Sequence, residues 1–352
     1  MHGKAMVRWR LVPELCRWPG ELAANCSQPG RGPYLQEQRR RLLWRYRLVR
    51  VLQRLGWRRP PVRLMPCVRG LAALVPLDPL TLEAARSLLQ VLNHEALDAL
   101  AECLRAQGCT ARSVLPVIVS CRHRLERSQA AQQAFVQEQA CSELVLRPLI
   151  VVGCERQADW SLRFDAALNL LMIPVDDAYE GLPAKVITLV ALLGLLPQCP
   201  SLLKLDDDAR PGNLQALVAL ADALHGERPV AAGYPIVTPT PFHLDRGWHL
   251  GKSRRANDRV FDSLGARQWL SGGAGYLLNA SAVRLIQAFW LHTWGFVTSM
   301  LYEDVCVSMM LQAGDADFHW LKHPADLGLA SERQQEVDDG QWAIPDSFFE
   351  PT

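Results

Sequence analysis

Lysine is scarce in this 352-residue chain: of its 38 Lys and Arg residues only five are lysines, Lys4, Lys185, Lys204, Lys252 and Lys322. Ten cysteines occur, but none forms a C-x-x-C pair, which excludes a zinc ribbon and a dithiol redox motif. Several lie in apolar stretches, as buried free thiols do. The first residues, MHGKAMVRWRLVPELCRW, hold no apolar core of the kind a secretory leader needs, so a reducing, cytoplasmic setting is expected. There is no internal repeat and no low-complexity tract. The uncharged run 186–203, between Lys185 and Lys204, nearly reaches the roughly 20 residues of a membrane span, but Pro197, Gln198 and Pro200 break it. It reads instead as a buried helix from Pro183 to Leu196, a turn at LPQCP and a buried strand from Ser201 to Leu205. The protein is therefore not expected to be integral to a membrane.

With 49% hydrophobic and 21% charged residues, the chain can bury a large core in one or two domains. Its net charge of +2 hides a split. Residues 1–60 hold 14 Lys and Arg against 3 Asp and Glu, whereas the remainder holds 24 against 33, so the two parts carry +11 and −9.

From about Leu115 onward, short apolar runs alternate with helix-length segments. LPVIVS, PLIVVG, LLMIPV and SLLKL read as strands; Leu125 to Gln139 and Pro183 to Leu196 read as helices, as does a segment from about Pro211 to His225, with proline in its first turn. Such alternation predicts an α/β fold, a mostly parallel Rossmann-like sheet flanked by helices on both faces. Residues 1–112 are Arg-rich and then helical, with two amphipathic segments split around Asn93. The expected organisation is a basic helical region, 1–112, and an α/β domain, 113–352.

The strand SLLKL ends in Asp206, Asp207 and Asp208. Three adjacent carboxylates repel one another unless a divalent cation neutralises them, and hard oxygen ligands suit Mn²⁺ or Mg²⁺. An alternative is a solvated loop capping the next helix. In the stretch WLSGGAGYLLN, Gly272, Gly273 and Gly275 allow close approach to a ligand or to another chain segment. Glu303 and Asp304 open an apolar helical run, where the helix N-terminus stabilises an ionised carboxylate of the kind a general base requires. Each of these pieces also has a purely structural reading, a tight turn in the first case and a first-turn charge pair in the second.

Taken in order, five segments resemble the inverting β-1,3-glycosyltransferases of the galactosyl-, N-acetylglucosaminyl- and Fringe type. They are Asp177-Ala-Tyr179 through Lys185, Cys199 through Lys204-Leu-Asp206-Asp207-Asp208, Trp248 through Lys252, Ser271-Gly-Gly-Ala-Gly-Tyr276, and Glu303-Asp304-Val305. Gly181 and Pro183 depart from the usual pattern, and the Arg-rich motif after the family's first strand is matched only loosely by Arg122, Arg124 and Arg127. Without the N-terminal membrane span of eukaryotic members, the chain resembles a divergent, bacterial type.

The resemblance implies a GT-A domain that moves a hexose or N-acetylhexosamine from a UDP-sugar to a saccharide hydroxyl with inversion. It implies metal ligation by Asp208 with Asp206 or Asp207, joined by a histidine from His319 or His323, and donor contacts from Asp206, Asp207, Lys185 and Arg124. Asp304 would be the base, with Glu303 orienting it or the acceptor. Trp248, Lys252, Gly272, Gly273, Gly275 and Tyr276 would line the substrate pocket. A catalytically silent scaffold and a metal-dependent nucleotide-sugar hydrolase are the competing functional expectations.

Arg39 to Arg59, RRRLLWRYRLVRVLQRLGWRR, forms a basic amphipathic pattern with Trp44, Leu48, Val51, Leu52 and Leu55 on one side. It suits an anionic membrane surface that presents a lipid-linked acceptor, or it packs on the acidic remainder of the chain. With no nucleic-acid module beside it, no nucleic-acid partner is expected.

Overall fold

Asn93, the expected break between two helical segments, is the N-cap of the first helix among the described residues of the computed structural model, which are 91–138, 144–156, 159–237, 253 and 268–330. Its side chain accepts a hydrogen bond from the Glu95 N–H at 3.0 Å, meeting one of the donors a helix start leaves open. Helix α1 (His94–Ala106) buries Ala96, Leu100 and Leu104. All but Val237, Ser253 and Gln268 of the described residues belong to one compact unit, Cys67–Ile236 with Trp269–Asp338. The Arg39–Arg59 segment lies outside the described residues.

The chain continues through β1 (Val114–Val119), α2 (Leu125–Glu138), β2 (Leu149–Cys154), β3 (Arg163–Asp165), β4 (Leu170–Asp176), α3 (Leu182–Gly194), β5 (Ser201–Asp206) and α4 (Leu214–Ala223). It then forms β6 (Val230–Gly233), β7 (Pro235–Val237), β8 (Gln268–Leu270), β9 (Tyr276–Leu278), α5 (Ala280–Phe289), α6 (Trp294–Ser299), α7 (Glu303–Ala313) and β10 (Asp317–Trp320). Eight strands make a sheet of order β10-β6-β9-β5-β1-β2-β4-β3. β5, β1, β2 and β4 run parallel, as do β6 and β10, while β9 is antiparallel to β5 and β6, and β3 to β4. The expected mostly parallel α/β sheet is therefore present.

Burial on both faces explains the continuous apolar runs. All six residues of VLPVIV in β1 and all six of LIVVGC in β2 are buried, which is the pattern of strands covered by helices on either side. On one face α2 and α4 pack Ala131, Phe135, Leu214, Leu217 and Ala221 against Ile118, Ile150, Val152, Leu203 and Leu205. On the other lie α3, α5 and α7. Apart from Lys185 and Thr188, the eleven buried residues of α3 are apolar and cover it all round, as suits a helix enclosed on every side.

One local feature differs from the sequence expectation. α4 does not begin at Pro211: Pro211 bridges to Leu329, and the helix is capped by Asn213, whose side chain accepts from the Ala216 N–H at 3.1 Å. Asparagine there meets an open helix-start donor, which proline cannot do. In β4, Pro174 sits in a β2–β4 register shift between Val152↔Met172 and Cys154↔Asp176. A residue with no N–H to give the ladder is tolerated at such an irregularity.

Just past that shift, Asp177 meets Lys185. The ammonium donates to Asp177 Oδ1 at 2.7 Å and to the Ser120 carbonyl at 2.6 Å, with only 2% of the lysine side chain exposed. Asp177 also accepts from the Gly153 N–H at 2.6 Å and the Arg122 N–H at 2.7 Å. One buried pair thus joins the carboxyl ends of β1 and β2 to the turn before α3. Breaking a buried pair by removing one partner strands the other charge, so Lys185→Met is expected to cost about 3–5 kcal/mol in urea unfolding. A loss below about 1 kcal/mol, the range of exposed pairs, would contradict this burial.

Candidate active site

The order of the central strands reverses at β1, which has β2 and then β4 on one side and β5 on the other. In an open parallel sheet, the crevice beyond the carboxyl ends at such a reversal is where ligands bind. The acidic triplet lies there, because β5 ends at Asp206. Being antiparallel, β9 brings its first residue to the same end, so that Tyr276 pairs with Lys204. The head of α7 completes the group.

Lys204 holds these pieces together. Its side chain is 2% exposed and its Nζ donates to Asp206 Oδ1 at 2.7 Å, Glu303 Oε1 at 2.8 Å and the Gly272 carbonyl at 3.0 Å. Those three bonds use all three donors of an ammonium. Burial alone would favour losing the proton, but the Asp206 and Glu303 carboxylates outweigh it and hold the lysine above its ordinary pKa. The Tyr276 hydroxyl donates to Glu303 Oε2 at 2.8 Å, and burial, followed by the Glu303 charge, pushes that hydroxyl well above the usual range.

Asp304 is held differently. Oδ2 accepts from the Gly272 N–H at 3.1 Å and Oδ1 from the Val305 N–H at 2.8 Å. Burial first, and the neighbouring Glu303 second, push its carboxyl up to about 7, against the pull of the two N–H groups and Lys204. A carboxyl that exchanges its proton near neutrality is suited to general-base work. Tyr179, half-buried in the 3₁₀ turn Tyr179–Gly181 before α3, also faces this group, and burial first, then Tyr302 and the charges of Asp304, Asp206 and Glu303, hold its proton on.

The three aspartates have separate surroundings. Asp206 and Asp208 are 36% and 18% exposed, Asp207 only 8%. Asp207 is closed in by Arg124 at 3.4 Å, Arg127 at 3.6 Å and the Ser120 hydroxyl at 3.4 Å, and Asp208 pairs with Arg127 at 2.5 Å. Arg127 had only a loose motif match in the sequence, and Asp177 had no expected role of its own. The chain spacing of Arg124 and Arg127, one helical turn apart, was the available signal for the first.

The remaining expected residues fall in several places. Lys185 is in the crevice floor, bound to Asp177 and Ser120. His319, on β10, and His323, before the 3₁₀ turn Pro324–Leu327, are exposed; β10 is three strands from β5. Among the described residues, no three His, Cys, Asp or Glu side chains gather as a ready-made cation cage. Trp248 and Lys252 lie outside the described residues.

The glycines have distinct reasons. Gly275 turns with φ +81°, and a Cβ there would stand 2.9 Å from the Lys204 carbonyl. At Gly272 a Cβ would stand 2.5 Å from Glu303 Oε1, whereas at Gly273 it would meet nothing within 4 Å. Gly272→Ala is therefore expected to lower unfolding stability by about 1–3 kcal/mol through overpacking, and Gly273→Ala to stay within about 0.5 kcal/mol of the native chain. Equal effects in thermal unfolding would contradict the packing described. No protein-family model matches the sequence, and the chain has no significant match among curated proteins.

Proposed function

We propose that the protein is a metal-dependent inverting glycosyltransferase that moves a hexose or N-acetylhexosamine from a UDP-sugar to a saccharide hydroxyl. The observation that carries the reading is Asp304: a buried carboxyl with a pKa of about 7, gripped by two backbone N–H groups beside the acidic triplet. The resemblance of the five ordered segments supplies the reaction class.

The donor set fits a divalent cation that is completed by substrate. Asp206 and Asp208 offer hard oxygens on side chains that are 36% and 18% exposed, and Mg²⁺-type ions are commonly held by one or two carboxylates with the rest from phosphates and water. Asp206 and Asp208 would hold the cation, in competition with Lys204 and Arg127. When bound, the ion supplies charge stabilisation for the departing diphosphate. Arg124 and Arg127, both about half exposed, bring positive charge to the same mouth.

In the reaction, Asp304 takes the proton of the acceptor hydroxyl as its oxygen attacks the anomeric carbon. The new C–O bond forms while the bond to the diphosphate breaks, and the leaving oxygen takes the electron pair. A single displacement of this kind inverts the centre and needs one carboxylate base, unlike glycoside hydrolysis with its pair. In this reading the Arg39–Arg59 segment brings the enzyme to an acceptor carried on an anionic membrane. One observation favours a catalytically silent rival: each carboxylate of the triplet already has a basic partner in Lys204, Arg124 or Arg127.

Transfer assays with UDP-sugars, Mn²⁺ and oligosaccharide acceptors separate these readings. Because only ionised Asp304 can act as base, kcat should rise with pH through a midpoint near 7. Asp304→Asn should lower it roughly 10²–10⁴-fold. A wild-type rate in Asp304→Asn would overturn the assignment, and free sugar released without acceptor would make the protein a hydrolase.

A further inference from the structure

Both oxygens of Glu303 are engaged inside the protein. Oε1 is bound by Lys204 and Oε2 by Tyr276, each at 2.8 Å. The side chain is buried, and a single added carbon at Gly272 would already press on Oε1. To contact a saccharide hydroxyl, the carboxylate would have to be uncovered, since its side chain is 4% exposed and both oxygens are engaged in a dry site, where such bonds are strong. Asp304, next along the same turn, is bound by backbone N–H groups alone among the contacts described above.

We propose that Glu303 is a positioning residue and not a ligand of the acceptor: clamped between Lys204 and Tyr276, it fixes the first turn of α7 and sets the negative charge beside Asp304. The ammonium that steadies the donor-side carboxylate Asp206 thereby also governs the base. This inference rests on the transferase reading for its kinetic consequences, though not for its electrostatic ones.

The groups around Asp304 make the consequence specific. Glu303 on α7 disfavours its ionisation, while Lys204 on β5 and the N–H groups of Gly272 and Val305 favour it. Tyr179 from the turn before α3, Tyr276 from β9 and Cys306 on α7 also face it, and burial holds the proton on all three. Glu303 and Lys204 are thus the formal charges that act on Asp304, with Asp206 engaged on the far side of the lysine.

Glu303→Gln tests this, since the amide keeps the shape and can still accept from Lys204, while the Tyr276 hydroxyl can turn to accept from the amide. Unfolding free energy is measured from pH 5 to 9 for the native chain, Asp304→Asn, Glu303→Gln and the double variant. The slope with pH of the stability difference made by Asp304 should fade with a midpoint near 7 in the native background. In the Glu303→Gln background that midpoint should fall by more than about one pH unit, the usual effect of a close charge. The acid limb of kcat should move the same way, with acceptor KM changed less than about threefold, short of the factor that a lost hydrogen bond to substrate costs.

An unmoved midpoint in the unfolding data would overturn the proposal. So would an unmoved kinetic limb with acceptor KM raised more than about tenfold, the mark of a lost charged contact. If the native chain transfers no sugar, the function is wrong, and the unfolding cycle still decides the clamp. Should Glu303→Gln fail to fold, Tyr276→Phe removes only the donor to Oε2; the midpoint should then rise, and a fixed midpoint would overturn the proposal.

Discussion

One buried ammonium holds the candidate site in register. Lys204 sits on a central strand where an isolated charge could not remain, and it is retained because two carboxylates and a carbonyl meet its three protons. Those partners come from three segments distant in sequence: the end of β5, the glycine turn before β9 and the head of α7. Without the lysine, the buried carboxylate of Glu303 and the partly exposed one of Asp206 would repel each other across the same gap. The geometry of Asp304 and the geometry of the acidic triplet are thus two consequences of one ion cluster.

Asp304 is where that cluster leaves charge uncompensated. A carboxyl whose folded-state pKa is raised keeps its proton longer in the folded chain, so stability is lost as pH climbs from about 4 through about 7. A shift of that size corresponds to a cost on the order of 4 kcal/mol once the group is ionised. The native fold carries this cost at neutral pH, and strain of this kind collects at functional sites. Lys185 and Asp177 form the opposite case, a pair whose partners are matched and whose work is to join strands.

Much of the scaffold could be read in the sequence because its signals are local. LPVIVS, PLIVVG, LLMIPV and SLLKL are continuous apolar runs, and each became a strand of the sheet; the carboxylates at the end of β5 and the start of α7 lie where strand and helix periodicity stop. β3, β6 and β10 gave no such signal, being three or four residues long and partly exposed. The pairings of Lys204 with Glu303 and of Asp207 with Arg124 depend on β9 entering antiparallel beside β5 and on the turn after β1, which no local spacing encodes. Lys185 shows the same limit: the chain placed it beside an expected ligand site, but the fold turned it inward to Asp177. Lys185 and Lys204 come from the chain's small set of five lysines, and scarcity gave no hint of their position.

The proposed function requires that the crevice at the reversal of strand order bind a nucleotide diphosphate through a cation held by Asp206 and Asp208. Calorimetric titration of UDP into the protein, with and without Mn²⁺, tests it most directly. The account predicts binding that requires the cation, is lost in Asp208→Ala and survives in Asp304→Asn. UDP binding that is indifferent to Mn²⁺ and to Asp208, or no binding under any of these conditions, would contradict it.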